Sequence, residues 1–122
     1  MRWNMKQLDL SGFHGSEQFA RFSPLTKAVL TEGVVFVAQE TDNFGLMQDI
    51  GVDCDHASKL HAALQDGLVC VDIDSDGFGI KYTDGNGKLL KKYPLSGYPS
   101  IKVMLWIALN EFVPTIMLPS EY

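Results

Sequence analysis

The chain has 122 residues, 46% of them apolar and 20% charged, and fifteen Asp and Glu against ten Lys and Arg leave a net charge of −5. That balance excludes wholesale disorder and predicts one domain over residues 1–122, large enough to bury ~65% of its unfolded surface. No apolar run reaches the ~18 residues of a membrane span, and the opening Met1-Arg2-Trp3-Asn4-Met5-Lys6 lacks a signal peptide's apolar core, so the expected compartment is the cytoplasm.

The first half, about residues 11–67, reads as helical. Ser16 is placed to cap a short helix over residues 17–21, interrupted by Pro24. Ser23-Pro24 then opens a second helix, a capping hydroxyl followed by Pro at the first helical position. Leu25, Ala28 and Val29 would share its buried face, and Gly33 breaks it. Val34-Val35-Phe36-Val37-Ala38 suits a buried strand or a buried helical turn; Thr31-Glu32 before it resembles a helix cap, which favours helix. Phe44-Gly45-Leu46-Met47 with Ile50 reads as a short strand entering a helical turn. Asp55 is expected to cap a helix over residues 56–65, with Ala57, Leu60, Ala63 and Leu64 inward and Gly67 as its terminator.

The second half, about residues 68–118, reads as an antiparallel β-meander. Val69, Val71 and Ile73 alternate with residues of the opposite face, as do Phe78, Ile80 and Tyr82. Asp84-Gly85-Asn86-Gly87 is a hairpin turn, and Leu89, Lys91, Tyr93 and Leu95 form a third strand. Pro94, Gly97 and Pro99 mark a longer connection. Ile101, Val103, Leu105, Ile107 and Leu109 alternate cleanly, and Asn110-Glu111 turns the chain back into residues 112–118. There Pro114 and Pro119 imply an edge strand or an early end. The expected class is α+β, N-terminal helices packed on one face of a C-terminal antiparallel meander.

Between the first two strands lies Asp72-Ile73-Asp74-Ser75-Asp76-Gly77, which matches the first half of a calcium-binding EF-hand loop. Asp72, Asp74 and Asp76 would be its metal ligands. The second half of the pattern fails, because Thr83 stands where the loop needs a bidentate Glu and Gly79 where it needs a β-branched residue. The flanks are β-rich where an EF-hand needs helices, so an acidic hairpin turn is expected and no metal is assigned.

Other chemistry-bearing residues are scattered. His56 and His61, with Cys54 nearby, invite a zinc reading, but five residues apart on a helix is about 140° of rotation, which points the imidazoles to different faces. His14 is isolated between Phe13 and Gly15. Ser11, Ser16 and Ser96 sit near glycines without the elbow of a serine hydrolase, and no cofactor-binding Gly-rich motif is present. Cys54 and Cys70 are expected as free thiols. No catalytic residue is assigned.

Charge divides the chain. Residues 1–80 carry five Lys and Arg against twelve Asp and Glu, a balance of −7, whereas residues 81–122 carry five against three, or +2. The acidic half suits a surface aimed at a basic protein partner, with Asp53, Asp55 and Asp66 as its candidate residues. The basic half raises a nucleic-acid alternative in which Lys81, Lys91, Lys92 and Lys102, interleaved with Tyr82, Tyr93 and Trp106, bind single strands on an exposed sheet face. Lysines that keep that face soluble explain the same pattern.

The opening Leu10-Ser11-Gly12-Phe13-His14-Gly15-Ser16-Glu17 resembles the Leu-Ser-x-Phe-x-Gly-Ser-Glu start of a small family of unknown function found in bacterial, plasmid and phage genomes. The chain is similar to that family also at Thr31-Glu32-Gly33-Val34, at Asp84-Gly85-Asn86-Gly87 and at the closing Leu118-Pro119-Ser120-Glu121-Tyr122, nearly its whole length. It departs at Phe44-Gly45-Leu46, where members carry paired aromatics, which weakens any aromatic surface there. The resemblance implies a compact α+β domain in a mobile-element setting and no site. The expected function is therefore non-enzymatic binding of a host protein, as an accessory or anti-defence protein, with nucleic-acid binding and an uncharacterised enzyme as alternatives. Neither membrane nor cofactor is implied, and a homo-oligomer is compatible with the composition.

Overall fold

The computed structural model describes residues 19–21, 23–110 and 113–122. Two short strands, β1 (Phe19–Arg21) and β2 (Val29–Thr31), precede three helices, α1 (Glu32–Thr41), α2 (Phe44–His56) and α3 (Ser58–Asp66). Five strands follow: β3 (Val69–Asp74), β4 (Gly79–Asp84), β5 (Leu89–Tyr93), β6 (Lys102–Asn110) and β7 (Val113–Met117). A 3-10 turn, Pro119–Glu121, ends the chain. The seven strands form one sheet in the order β1-β2-β7-β6-β3-β4-β5, antiparallel except where β2 runs parallel to β7. None of the described helices is long and apolar enough to cross a membrane.

The α+β class follows from the alternation in the sequence. Strand β3 buries Val69, Val71 and Ile73, and its neighbours supply Ile80, Tyr82, Leu105 and Ile107 on the same side. The helices cover this side with Val34, Val35, Ala38, Leu46, Met47, Ile50, Cys54, Leu60 and Leu64. Strand period 2 and helix period 3.6 thus deliver apolar side chains to one shared layer. The meander proper is β3–β4–β5. Residues 94–101 then carry the chain across it, and β6 pairs with the free side of β3.

Four local expectations are corrected. Residues 19–21 are extended, paired with β2, and not helical; Ser11, His14, Ser16 and the opening motif lie outside the described residues. Ser23-Pro24 opens a turn and no helix. The Ser23 hydroxyl accepts the Leu25 N–H at 3.1 Å, the Thr26 hydroxyl accepts the Ala28 N–H at 3.1 Å, and these local bonds replace the helical ladder. The chain then joins β7 as β2, a tertiary pairing that overrides the cap signal.

Residues 44–47 belong to α2 and not to a strand. Leu46, Met47, Ile50 and Cys54 recur at helical spacing, while the glycines obscured the pattern. Gly51 is there because Thr26 packs against it: a Cβ would come 2.6 Å from the Thr26 hydroxyl oxygen. Finally, β7 lies inside the sheet between β2 and β6 despite Pro114. Pro114 stands opposite Leu109 of β6 and ahead of Thr115, where the register with β2 begins, so its missing N–H faces no β2 residue in that register.

Further expectations hold in part: Ile80 and Tyr82 are buried as expected, but Phe78 precedes β4 and is exposed beside Lys81. Residues 34–38 are helical, inside α1, and Gly67 follows the last residue of α3. The α3 helix begins two residues later than expected: Ala57 and not Asp55 stands at its N-cap, because Asp55 still lies inside α2.

Candidate functional site

Helix α2 presents Asp49 and Asp53 one turn apart toward the edge of the sheet formed by β4 and β5. Tyr82 lies opposite Lys91 in the β4–β5 register, and Ile80 opposite Tyr93, so Tyr82, Lys91 and Tyr93 share the helix-facing side. Asp53 Oδ2 accepts the Tyr82 hydroxyl at 2.8 Å and the Tyr93 hydroxyl at 2.5 Å; its Oδ1 takes the Lys91 ammonium at 3.1 Å. In the neighbouring connection the Tyr98 hydroxyl donates to Asp49.

Burial, then the neighbouring Tyr93 and Asp53, hold the Tyr82 phenol far above its ordinary value. Burial and the bond to Asp53 raise Tyr93. The hydrogen bond to Asp49, and after it burial, pushes Tyr98 up to about 12. All three phenols therefore stay protonated and donate at neutral pH. A carboxylate already holding three donors and phenols locked as donors make a clasp between α2 and the β4–β5 hairpin.

A second place is a cleft of about 430 Å³ between the 23–28 loop, the break between α2 and α3, and the ends of β6 and β7. Its lining includes Leu25, Lys27, Cys54, Asp55, His56 and His61. The sequence argument separated the two imidazoles by rotation along one helix. Here the helix breaks at Ala57, and both histidines line the same cleft. Asp55 Oδ2 accepts the Thr26 hydroxyl at 2.7 Å and the Lys27 main-chain N–H at 3.1 Å, which ties the loop to α2. Cys54 is buried beneath; burial, with Asp53 and Asp55 beside it, raises its thiol to about 12, so it stays un-ionised and unreactive at neutral pH.

The third place is the face of the sheet away from the helices. Lys92, Lys81, Asp72 and Met104 lie in one cross-strand row, with Lys102 opposite Asp74 in a neighbouring row. Lys81 also rides over the Phe78 ring, 4.8 Å from its centroid. Lys81, Lys92 and Lys102 thus share a face as expected, with Asp72 and Asp74 on the same face, but Lys91 points to the helices and pairs with Asp53. Tyr82 and Tyr93 point inward with it. Of the aromatics invoked for base stacking, Trp106 alone is on the outer side, and its ring meets Tyr122 edge-on at 5.5 Å.

The other sequence candidates divide in the same way. Asp53 and Asp55 belong to the clasp and the loop tie, while Asp66 stands exposed at the end of α3. The acidic hexapeptide is a hairpin: Asp72 and Asp74 are in β3, and Asp76 accepts the Ser100 hydroxyl at 2.6 Å. Among the described residues no three His, Cys, Asp or Glu side chains gather as a metal ion would need. Cys54 lies in the core and Cys70 is half-buried in β3, and both thiols are free. The Asp49–Asp53 pair and its tyrosines escaped the sequence reading. Their signal was two carboxylates four apart on a helix facing tyrosines that alternate into a core, where a buried hydroxyl needs an acceptor.

A model of a family described as a family of unknown function (DUF6876) matches residues 4–122, and the chain belongs to that family. No curated protein and no solved structure matches it.

Proposed function

We propose that this family member is a non-enzymatic binding protein whose acidic helical layer meets a basic surface of another protein. The observation that carries this reading is charge: residues 32–66 hold seven carboxylates and one lysine, Lys59. Glu40, Asp42 and Asp66 stand exposed in that stretch. Since Asp53 and Asp55 spend their carboxylates on neighbours, Glu40 and Asp42 join Asp66 as the acidic contact residues. Complementary charge steers encounter and selects partners. The un-ionised Cys54 and the hydrogen-bonded phenols favour binding over catalysis, because these groups are held as neutral thiol and phenol donors. The family resemblance to plasmid and phage sequences supports a mobile-element role, in which such a surface occupies the phosphate-accepting groove of a host defence factor.

The test is capture from a bacterial lysate followed by mass spectrometry, comparing two variants with the parent. The reading expects a protein captured by the parent and by Lys81→Gln/Lys92→Gln/Lys102→Gln, but lost from Glu40→Gln/Asp42→Asn/Asp66→Asn. Equal capture by the acidic-site variant overturns it, as does recovery of nucleic acid in place of protein.

A further inference from the structure

We infer that the cleft between the 23–28 loop, the α2–α3 break and the β6–β7 end binds a small organic oxyanion, a phosphate or carboxylate carried on an apolar body. The inference is independent of the acidic surface proposed above. Its volume, about 430 Å³, falls in the range of small-molecule sites and exceeds what a bare inorganic anion fills.

Lys27, His56 and His61 are among the residues that line it, and all three are exposed. Among the described residues Lys27 makes no ion pair, because Asp55 engages its main-chain N–H and not its side chain. Neither imidazole side chain has a hydrogen-bond partner there either. A neutral imidazole still offers one N–H donor and a protonated one offers two. An oxyanion is the acceptor that such a trio lacks. Asp55 is the one carboxylate on the described wall, and its Oδ2 is already committed to the Thr26 hydroxyl and the Lys27 amide.

The rest of the lining is apolar. Leu25, 63% exposed, lines it together with Leu109 and Pro114. A leucine left that open gains by covering an apolar group, at roughly 25 cal/mol for each Å² removed from water. A bound cation is the competing use of two histidines, but no third ligand joins them among the described residues.

The experiment titrates the purified protein with phenyl phosphate, benzoate and inorganic phosphate while the imidazole resonances of His56 and His61 are followed by NMR. Phenyl phosphate or benzoate is expected to shift both rings saturably, about tenfold more tightly than inorganic phosphate. The preferred of the two organic probes identifies the headgroup. Measured by calorimetry, His56→Gln/His61→Gln should weaken that binding about tenfold, and Lys27→Gln should weaken it as well. Leu25→Ser should weaken the organic probes and leave inorganic phosphate unaffected. No saturable shift with any probe at millimolar concentration overturns the inference, and so does binding that survives the double histidine variant. Zinc chloride shifting both rings at micromolar concentration, with the anions inert, replaces it with a metal site. Because all three polar residues are exposed, their variants are expected to fold, and an unchanged circular-dichroism spectrum checks this.

Discussion

Glu121 caps helix α1 from the far end of the chain: its Oε2 accepts the Gly33 N–H at 3.1 Å, across 88 residues of sequence. Its Oε1 accepts the Thr31 hydroxyl at 2.5 Å and the Leu118 N–H at 2.9 Å. Thr31 occupies the N-cap position but makes no capping bond of its own. The first N–H groups of a helix lack internal partners, and the dipole there favours a negative charge. Gly33 admits the carboxylate, since a Cβ would come 2.7 Å from Glu121 Oε1 and 2.6 Å from Leu118 Cδ1. Residues 31–34 and 118–122 are therefore one structural unit.

Glu121→Ala should cost ~1–3 kcal/mol, the penalty for leaving buried donors unpaired. Gly33→Ala should also destabilise the parent, and by less once Glu121 is Ala, because part of the obstruction is gone. A urea-denaturation cycle on the four proteins measures this coupling. Additive effects would show that the carboxylate and the glycine do not share the site.

Much of the fold was legible because it depended on local pattern. Alternation marked β3, β4 and β6, the Asp84-Gly85-Asn86-Gly87 turn marked the β4–β5 hairpin, and Thr31-Glu32 marked the start of α1. What was hidden depended on distant partners. Whether Ser23-Pro24 opens a helix or a turn is decided by β2 finding β7, more than eighty residues away in sequence. Pro114 looked like an edge residue because its sequence gives no sign of where the β2 register begins. At the candidate sites, the acidic residues were visible by type but not by partner. Asp53 and Asp66 are equivalent in sequence, yet one is spent on two tyrosines and a lysine and the other is exposed.

The clasp on Asp53 predicts an order of stabilities. Asp53→Ala strands the Tyr82 and Tyr93 hydroxyls together with Lys91, and should cost ~1–3 kcal/mol. Lys91→Met removes an ion pair in which the lysine side chain is 39% exposed and the aspartate 17%, so it should cost under about 1 kcal/mol. Denaturation midpoints check the order. A larger loss for Lys91→Met would mean that the ion pair, and not the two phenol bonds, holds α2 to the hairpin.

Raised phenol and thiol values make the fold weaken in alkali. Tyr98 rises from 10.0 to about 12 and Cys54 from 9.0 to about 12, while Tyr82 and Tyr93 also shift upward. Above about pH 9 the unfolded chain therefore releases protons that the folded chain keeps. The unfolded state then binds fewer protons, so stability falls as pH rises through 9 to 12. Urea midpoints should be level from pH 7 to 8.5 and decline thereafter. Tyr98→Phe should flatten part of the decline above pH 10. A stability that stays level to pH 11 would contradict the burial and bonding of these groups.

The two faces of β6 give a contrast within one strand. Leu105 is fully buried against the helical layer, whereas its neighbour Met104 is 47% exposed on the outer side. Leu105→Ala should cost ~2–5 kcal/mol, the range for a large-to-small change in a packed core. Met104→Ala should stay within about 0.5 kcal/mol, as surface substitutions usually do. Similar losses at the two positions would show that the outer face is covered as fully as the inner one.

The outer face also decides the nucleic-acid alternative. Single-strand binding on a sheet needs aromatic platforms beside basic residues. Lys81, Lys92 and Lys102 are there, but Tyr82 and Tyr93 face the helices, and Asp72 and Asp74 stand opposite Lys81 and Lys102. Labelled single-stranded DNA and RNA should therefore show no retention at physiological salt. If weak binding is found at low salt, counterion release predicts a steep fall, a slope of about 0.7 in log affinity against log salt for each phosphate contact. Lys81→Glu/Lys92→Glu should then abolish that residual binding while leaving capture of a protein partner intact. Tight binding at physiological salt that this variant removes would make the sheet face, and not the acidic helices, the working surface of the molecule.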